Sequence, residues 1–330
     1  MAHSPSLSTI DAGLAHGLAR NVGRFGLVLA LFAVFATFTA VAPTFLTLAN
    51  LQSLLVNNFT LLAIVSVAMT FAVSSGGIDL SIGTAVDMAC FAFVSMVLAG
   101  EPVAIAALAG LVAGGLVGAF NAVLISGIGI SPFLATLGTL FIGRSIQQML
   151  TNGGNPVYLP PNGVPSSFRF LGHGTIFGVP TPLIVAVGII VLAAVVLSRS
   201  RFGRVITASG IQASVVRYSG LSIRSHIAIV FVVVGVVSAA AGLILTATVN
   251  VYIPSSGNAF LLNAIGATFI GATFSPLRRP NIVGTVLGAL LLSAVANGLL
   301  LSGLNFYWQQ VGTGTLIFIV LAMSSWNRSP

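Results

Sequence analysis

Few side chains in this sequence could take part in acid–base, metal or nucleophilic chemistry. Among 330 residues there are four acidic residues, four histidines and one cysteine. The ionisable residues that fall inside apolar runs are Asp79, Asp87 and Arg144. Cys90 is alone in such a run, which excludes a disulfide framework and a cysteine metal cluster. Without paired carboxylates, metal-spaced histidines or a nucleophile–base set in one predicted layer, a membrane-bound enzyme is poorly supported.

Asp79 lies in a polar stretch, SSGGIDLSIGT (74–84), between two apolar runs. Gly76 and Gly77 allow a tight turn and a close approach of backbones. Asp79 or Ser81 can then accept hydrogen bonds from the unpaired N–H groups that begin the next helix. A helix cap accounts for Asp79 without any ligand; the functional alternative, compatible with it, is that this corner moves with a gate.

Asp87 follows eight residues later, on roughly the same helical face. A charge at mid-membrane costs about 2.5–3.5 kcal/mol on insertion scales, so a partner is expected. Arg144 is the one basic residue predicted at depth, and we hypothesise an Asp87–Arg144 ion pair. The alternatives are that each side chain extends to the membrane interface or contacts a second subunit.

The composition indicates an integral membrane protein. Only 5% of residues are charged and 57% are hydrophobic, whereas a soluble domain carries about 25% charged residues. The net charge of +8 comes from twelve basic residues, all arginine. These arginines lie in loops beside hydrophobic spans, which is typical of membrane topology rather than of a nucleic-acid-binding surface.

We predict an all-α, polytopic membrane protein with ten spans, because about 20 apolar residues are needed to cross the hydrocarbon layer. The first span is expected to be an uncleaved anchor. The predicted spans are 24–42, 51–73, 79–99, 103–126, 131–150, 182–198, 226–248, 260–275, 282–302 and 310–326.

The arginine positions predict the orientation. With both termini in the cytoplasm, ten arginines fall inside and only Arg169 falls outside, while Arg144 lies within the fifth span. The predicted organisation is a cytoplasmic tail (1–23), a transmembrane domain (24–326) and a cytoplasmic C-terminus (327–330). Within the transmembrane domain we predict a periplasmic loop (151–181) and an arginine-rich cytoplasmic loop (199–225).

A weak internal repeat links the two halves. NAVLISGI from Asn121 resembles NGLLLSGL from Asn297, and GTLFI from Gly138 resembles GTLIF from Gly314, both 176 residues apart. Chance matches in a Leu-, Gly- and Ala-rich sequence are the alternative to duplication. Since the offset spans five predicted helices, a second copy would be inverted, which is a common arrangement in transporters.

The sequence offers no energy source of its own. A GxxxxGK[ST] phosphate loop needs a lysine, and the sequence contains none. Few ionisable residues are available for an ion relay. The driving force is therefore expected from a gradient or from a separate ATPase. In the cytoplasmic loop, a short amphiphilic stretch between Gly210 and Gly220 could form a helix along the membrane surface; a solvated loop is the alternative.

Neutral amides and hydroxyls are the candidate groups along a translocation path, together with Asp87 and Arg144. Most such residues in membrane bundles instead bridge helices. The candidates are Asn57, Asn58, Asp87, Asn121, Thr136, Thr139, Arg144, Gln147, Gln148, Asn263 and Asn297.

Across residues 45–325 the sequence resembles the ribose-type permeases of bacterial ABC importers. The resemblance rests on SGGIDLSIG (75–83), RFGR (201–204) followed by SG at 209–210 and 219–220, and NGL (297–299). It implies a ten-helix subunit of the bacterial inner membrane that dimerises with an identical or homologous permease. Two cytoplasmic ATPase modules, which hold ATP and Mg²⁺, and a periplasmic solute-binding protein complete the implied assembly; no cofactor is expected in this chain.

The resemblance also implies that part of the cytoplasmic loop docks into the ATPase and that the first corner belongs to a gate. The implied coupling residues are Arg201, Phe202, Gly203, Arg204, Gly210, Arg217 and Gly220; the gate or helix-break residues are Gly76, Gly77, Asp79 and Ser81.

Two departures from the family pattern bear on the solute. Family members commonly show Glu-Leu-Asp-Ala-Ile in the eighth span, whereas residues 261–265 read LLNAI. The family's glycine-rich turn after that span is replaced by TFSPLRRPNIVGT (273–285). We expect an importer subunit for a monosaccharide or related small polar solute; the alternative is an autonomous secondary carrier or channel.

Overall fold

The computed structural model describes residues 26–160 and 164–326, and within these residues the chain forms twelve helices and four two-residue strands. The tails predicted at 1–23 and 327–330 lie outside the described residues. The helices are α1 Gly26–Val41, α2 Leu48–Ser74, α3 Ile82–Leu98, α4 Val103–Ile128, α5 Pro132–Leu150, α6 Ser166–His173, α7 Thr181–Arg199, α8 Arg201–Tyr218, α9 Ile223–Val249, α10 Asn258–Ala272, α11 Ile282–Leu301 and α12 Phe306–Trp326. The strands are β1 Val157–Tyr158, β2 Thr175–Ile176, β3 Val179–Pro180 and β4 Val251–Tyr252.

The helical prediction is confirmed, since each of the ten predicted segments contains one helix. Within the described ranges, five helices are long and apolar enough to cross a membrane: α2, α4, α7, α9 and α11. The two remaining helices, α6 and α8, lie in the loops predicted at 151–181 and 199–225. These loops are therefore partly helical.

Two helices contain π-helical segments that include polar side chains. Residues Leu54–Phe59 of α2 and Val123–Ile128 of α4 are π-helical. Such wide turns often occur at functional sites because they rotate the following side chains. In α2 the wide turn contains Asn57 and Asn58.

The core forms where α9 packs against α2, α3 and α4. Small residues bring α4 and α9 into backbone contact, as is usual for helices in lipid. A Cβ added at Gly118 would overlap the carbonyl of Phe231, and one added at Gly235 would overlap the carbonyl of Gly114. The helix pair therefore depends on glycine at these positions.

The loop predicted to lie outside is packed onto the helices. β1 pairs antiparallel with β4, with Val157 opposite Tyr252, and Leu159 N–H donates to the Asn250 carbonyl (3.1 Å). Phe168 of α6 stacks on Phe93 of α3, with ring centroids 4.0 Å apart. These contacts fix the loop to the turn that connects α9 and α10 and to α3.

Candidate functional site

A cavity of about 630 Å³ lies between α2, α10, α11 and α12. Three of the predicted path residues, Asn57, Asn58 and Asn263, lie on its wall. Asn57 is held there by a hydrogen bond from its Nδ2 to Ser53 Oγ (3.0 Å). The polar lining residues are Asn57, Asn58, Asn258, Asn263, Ser293, Gln309, Gln310 and Thr313.

Two of the lining residues each contain a buried polar atom that has no hydrogen-bond partner among the described residues. These atoms are Ser293 Oγ and Asn258 Oδ1. Ser293 is only 2% exposed, so its hydroxyl is cut off from bulk solvent. A buried polar group without a partner costs about 1–3 kcal/mol of stability. Both oxygens are buried rather than open to the cavity, and Asn258 Oδ1 lies against Gly83 of α3.

The cavity wall is mostly apolar, with uncharged polar side chains among the apolar ones. None of its described lining residues is acidic, basic or histidine. Amide side chains both donate and accept hydrogen bonds, as hydroxyl groups do. Phe260, Phe269 and Phe318 supply apolar faces beside them. This chemistry suits a neutral polar solute with an apolar face.

A hydrogen-bond chain fixes the first corner, which we define as residues 75–81 between α2 and α3. Asp79 Oδ1 accepts from the Ser81 backbone N–H (2.8 Å) and from Ser81 Oγ (2.7 Å). Ser81 Oγ in turn accepts from Asn121 Nδ2 (2.7 Å), and Asn121 Oδ1 accepts from Thr139 Oγ1 (2.6 Å). The buried Asp79 thus acts as a cap just before α3, and its network reaches α4 and α5.

Thr136 adds a second link from α5 to the first corner. Its Oγ1 accepts from the Leu80 N–H (3.0 Å). Asn121, Thr136 and Thr139 therefore bridge helices around the first corner and do not line the cavity.

The first corner is also in contact with the arginine-rich loop. Gly76 has φ +89°, a conformation that favours glycine. A Cβ added at Gly210 of α8 would overlap the carbonyl of Ser74 and would approach Gly76 N to 2.8 Å. On the other side, a Cβ at Gly77 would meet Pro132 of α5 at 2.9 Å. The first corner is thus clamped between α8 and α5.

Helix α8 differs from the short helix expected between Gly210 and Gly220. It begins at Arg201, with Ser200 Oγ accepting from Gly203 N–H (2.9 Å), and it breaks at Gln212 (φ −154°, ψ 92°). Gly210 lies inside the helix rather than at its end. The position requires glycine because a side chain there would overlap Ser74. Gly220 follows the helix end at φ +74°.

The coupling residues implied by the resemblance lie in different surroundings. Gly203 is buried and Phe202 is half-buried. Arg204 donates from Nη1 to the carbonyl of Arg199 (3.1 Å), which terminates α7. Arg201 and Arg217 are exposed. Beyond the break in α8, the exposed side chains include Val215, Arg217 and Tyr218.

Asp87 of α3 is hydrogen-bonded to a second corner, which we define as residues 250–257 between α9 and α10. Its Oδ1 accepts from the Gly257 N–H (2.7 Å) and from Ser256 Oγ (3.0 Å), just before α10 begins. Gln147 of α5 joins the same corner, since its Oε1 accepts from the Ser255 N–H (2.8 Å). The second corner therefore has the same kind of carboxylate cap as the first.

The hypothesis of an Asp87–Arg144 ion pair is wrong. Both residues are described, and no ion pair joins them. Asp87 is fully buried at the start of α10, whereas Arg144 is exposed on α5. Gly143 and Gln147 occupy the buried face of α5, so the helix turns Arg144 and Gln148 away from Asp87.

Asn297 bridges helices in a different place. Its amide exchanges two hydrogen bonds with Asn50 of α2, at 3.0 and 3.1 Å. Both donor and acceptor of each amide are satisfied, which leaves Asn297 as a link between α11 and α2 rather than a cavity residue.

Sequence reasoning missed several cavity residues, namely Asn258, Ser293, Gln309, Gln310 and Thr313. One signal could have found some of them. In this apolar sequence two adjacent amides occur at 57–58, 147–148 and 309–310, and two of these doublets line the cavity. Ser293 has no such signal, because serine is common in membrane helices.

Comparison with known proteins identifies the family. The sequence profile described as "Branched-chain amino acid transport system / permease component" matches residues 51–321. The chain is 31% identical over 307 residues to the ribose import permease protein RbsC of Bacillus subtilis (strain 168), covering 93% of each chain. It is 30% identical over 302 residues to the D-allose transport system permease protein AlsC of Escherichia coli (strain K12), covering 91% of each.

A further relative is the galactofuranose transporter permease protein YtfT of Escherichia coli (strain K12). It is 30% identical over 272 residues, which cover 82% of this chain and 78% of that protein. No solved structure matches the chain. Apolar helices, polar helix corners and the match over 51–321 agree: the protein is a multi-pass membrane protein that belongs to the permease-component family of transport systems.

Proposed function

We propose that this protein is the membrane subunit of an ATP-driven, binding-protein-dependent importer. It moves a monosaccharide or related small polar solute across the bacterial inner membrane. The names of its relatives refer to permeases for ribose, allose and galactofuranose, which supports this solute class. The energy comes from ATP and Mg²⁺ on a separate ATPase.

One contact carries the proposal: Gly210 of α8 lies directly against Ser74 at the end of α2 and against Gly76 in the first corner. The same corner is hydrogen-bonded to α4 and α5 through Ser81, Asn121 and Thr139. A displacement of α8 by a cytoplasmic partner would therefore be transmitted to three membrane helices. Docking of the ATPase on the exposed end of α8 provides such a displacement.

The proposed topology of this subunit has ten spans in an inverted repeat. The 27-residue helices α2 and α9 begin at 48 and 223, 175 residues apart, and α3 and α10 begin at 82 and 258, 176 apart. The packing is reciprocal as well: α9 contacts α3 and α4, and α2 contacts α10 and α11. These regularities support a duplicated unit with both termini in the cytoplasm.

The other partners follow from the proposed mechanism. A second permease, identical or homologous, completes the membrane part, and contact with it would give the exposed Arg144 of α5 a partner. A periplasmic solute-binding protein delivers the solute to the side that bears β1 and β4.

Reconstitution tests the proposal. The permease, its ATPase and its binding protein are placed in sealed vesicles, and ATP-dependent uptake of D-ribose and D-allose is measured. Uptake that requires all three components and ATP is the expected result. Solute accumulation by the permease alone would overturn the proposal in favour of an autonomous carrier.

A charge reversal tests the docking role of α8. Arg217→Glu changes an exposed side chain that bears no internal bond, and it should weaken binding-protein-stimulated ATPase activity and uptake together. Arg279→Glu makes the same change in another loop on the predicted cytoplasmic side. Equal losses in both variants would show that the ATPase responds to net charge and not to α8.

A further inference from the structure

The most exposed large apolar side chain among the described residues is that of Phe177, at the tip of the β2–β3 hairpin. Ile176 pairs with Val179, so Phe177 and Gly178 form the whole loop between the two strands. Ile176 and Val179 are exposed as well. An exposed apolar cluster of this kind marks a surface that contacts a partner.

The turn itself gives no reason for a phenylalanine at position 177. Both loop residues have positive φ, +51° at Phe177 and +78° at Gly178. A two-residue hairpin loop with such a backbone favours Asn-Gly, because asparagine tolerates the left-handed conformation better than a bulky residue does. Strained positions of this kind concentrate at functional sites. Because the ring is fully exposed, the contact that it serves is not made within the described part of the chain.

The hairpin is joined directly to helix α7, which limits its distance from the membrane. Thr181, the first residue of α7, donates its N–H to the Gly174 carbonyl at the base of the hairpin (2.9 Å). Helix α7 has 19 residues, or about 28 Å at about 1.5 Å per residue, which matches a hydrocarbon layer of about 30 Å. The two residues of β3 add at most about 7 Å. The headgroup layer on each side is about 5–8 Å thick, so Phe177 lies in it or at its edge.

The surroundings of the hairpin suit a lipid contact. Residues 174–180 contain no charged side chain. Ile184 and Val187, near the beginning of α7, are exposed aliphatic residues of a membrane span. Phe170 of α6 is exposed too, and its ring lies over Gly174, where an added Cβ would overlap it. Aromatic and aliphatic side chains beside a span are typical of segments that lie in the membrane interface.

We propose that the β2–β3 hairpin is an interfacial anchor, in which Phe177 inserts between phospholipid headgroups beside α7. Ile176 and Val179, paired across the hairpin, extend the inserted apolar surface. With the predicted orientation of the chain, the leaflet is the outer one. The anchor holds loop 151–181, which is attached to the second corner, at the membrane surface. This inference requires α7 to span the membrane and depends on neither the solute nor the ATPase.

Tryptophan fluorescence tests the anchor. Phe177→Trp and, as the control, Ser167→Trp are made in a background that carries Trp308→Phe and Trp326→Phe. Ser167 is exposed on α6, which packs on α3 through Phe168. The purified permease is placed in phosphatidylcholine nanodiscs with and without a lipid that carries a nitroxide on its headgroup.

We expect the position-177 variant to emit at a shorter wavelength than the position-167 variant and to lose emission in the nitroxide discs, while the control keeps its emission. Water-like, unquenched emission from position 177, or equal quenching at both positions, would overturn the anchor. A shift at position 177 that occurs only when a solute-binding protein is added would also overturn it, and would assign the hairpin to a protein contact instead.

Phe177→Asn gives a second test, in which the two explanations predict opposite signs. Asparagine suits the turn better, so without a membrane contact the amide hydrogens of residues 175–179 should exchange at the same rate or more slowly. Loss of an anchoring ring should instead make their exchange in nanodiscs faster than in the unmodified protein. Slower or unchanged exchange contradicts the anchor.

Discussion

Asp79 and Asp87 are two buried carboxylates that serve one structural purpose at two corners. Each uses Oδ1 to accept one backbone N–H and one serine hydroxyl, Ser81 in the first case and Ser256 with Gly257 in the second. Their oxygens satisfy donors at the beginning of a helix, where the helix dipole also favours negative charge. Neither aspartate lines the cavity.

At this scale we expect Asp87 to be needed as an acceptor more than as a charge. Asp87→Leu leaves the Gly257 N–H buried without a partner, which should cost about 1–3 kcal/mol of stability. Asp87→Asn keeps a carbonyl oxygen and should lose much less. Thermal denaturation of the purified permease compares the two; an equal loss in both variants would mean that the charge itself is required.

The amide pair of Asn50 and Asn297 makes a second residue-scale prediction. Hydrogen bonds between membrane helices average about 0.6 kcal/mol in double-mutant cycles, with a maximum of about 1.7 kcal/mol. Asn50→Ala, Asn297→Ala and the double variant should show a coupling energy in that range. Strictly additive losses in unfolding free energy would indicate that the pair contributes nothing of its own.

Among the elements, the first corner and α8 form the contact on which the proposed coupling depends. The fit depends on the absence of a side chain at Gly210, because the space is filled by Ser74 and Gly76. The second corner is held instead by α5 and β1, through Gln147 and the β1–β4 pairing. The first corner is thus attached to the predicted cytoplasmic loop, and the second corner is attached to the predicted periplasmic loop.

We expect Gly210→Ala to separate ATP hydrolysis from transport. The added Cβ must push α8 away from Ser74, and overpacking of this kind costs about 1–3 kcal/mol. Uptake should fall while ATPase activity persists. Gly188→Ala in α7, where a Cβ meets nothing, is the matched control. Normal ratios of uptake to hydrolysis in both variants would rule out the first corner as the coupling contact.

For the whole molecule, the cavity and the two corners occupy different places, so binding and coupling should be separable. Asn263→Ala removes a cavity amide that makes only a 3.4 Å bond to the Ala259 carbonyl. We expect it to raise the solute concentration needed for half-maximal uptake while the ratio of ATP hydrolysed to solute moved stays unchanged. A changed ratio at saturating solute would place Asn263 in the coupling path instead.

The sequence alone determined the membrane class, the positions of ten of the twelve described helices and the helical break at 75–81. These features depend on the local composition of each segment: twenty apolar residues form a helix in lipid wherever the segment lies in the bundle. The family resemblance, carried by contiguous motifs, was likewise readable without coordinates, and the family match confirms it.

Only the tertiary structure decided which polar side chains meet. Asp87 bonds to Gly257, which lies 170 residues later, and not to Arg144. Asn57 and Asn263 share a cavity, while Asn121 and Asn297 bridge helices. The physical reason is that such contacts depend on how each helix is rotated and tilted against its neighbours. Rotation is set by close packing at glycines such as Gly118 and Gly235, and no single segment contains that information.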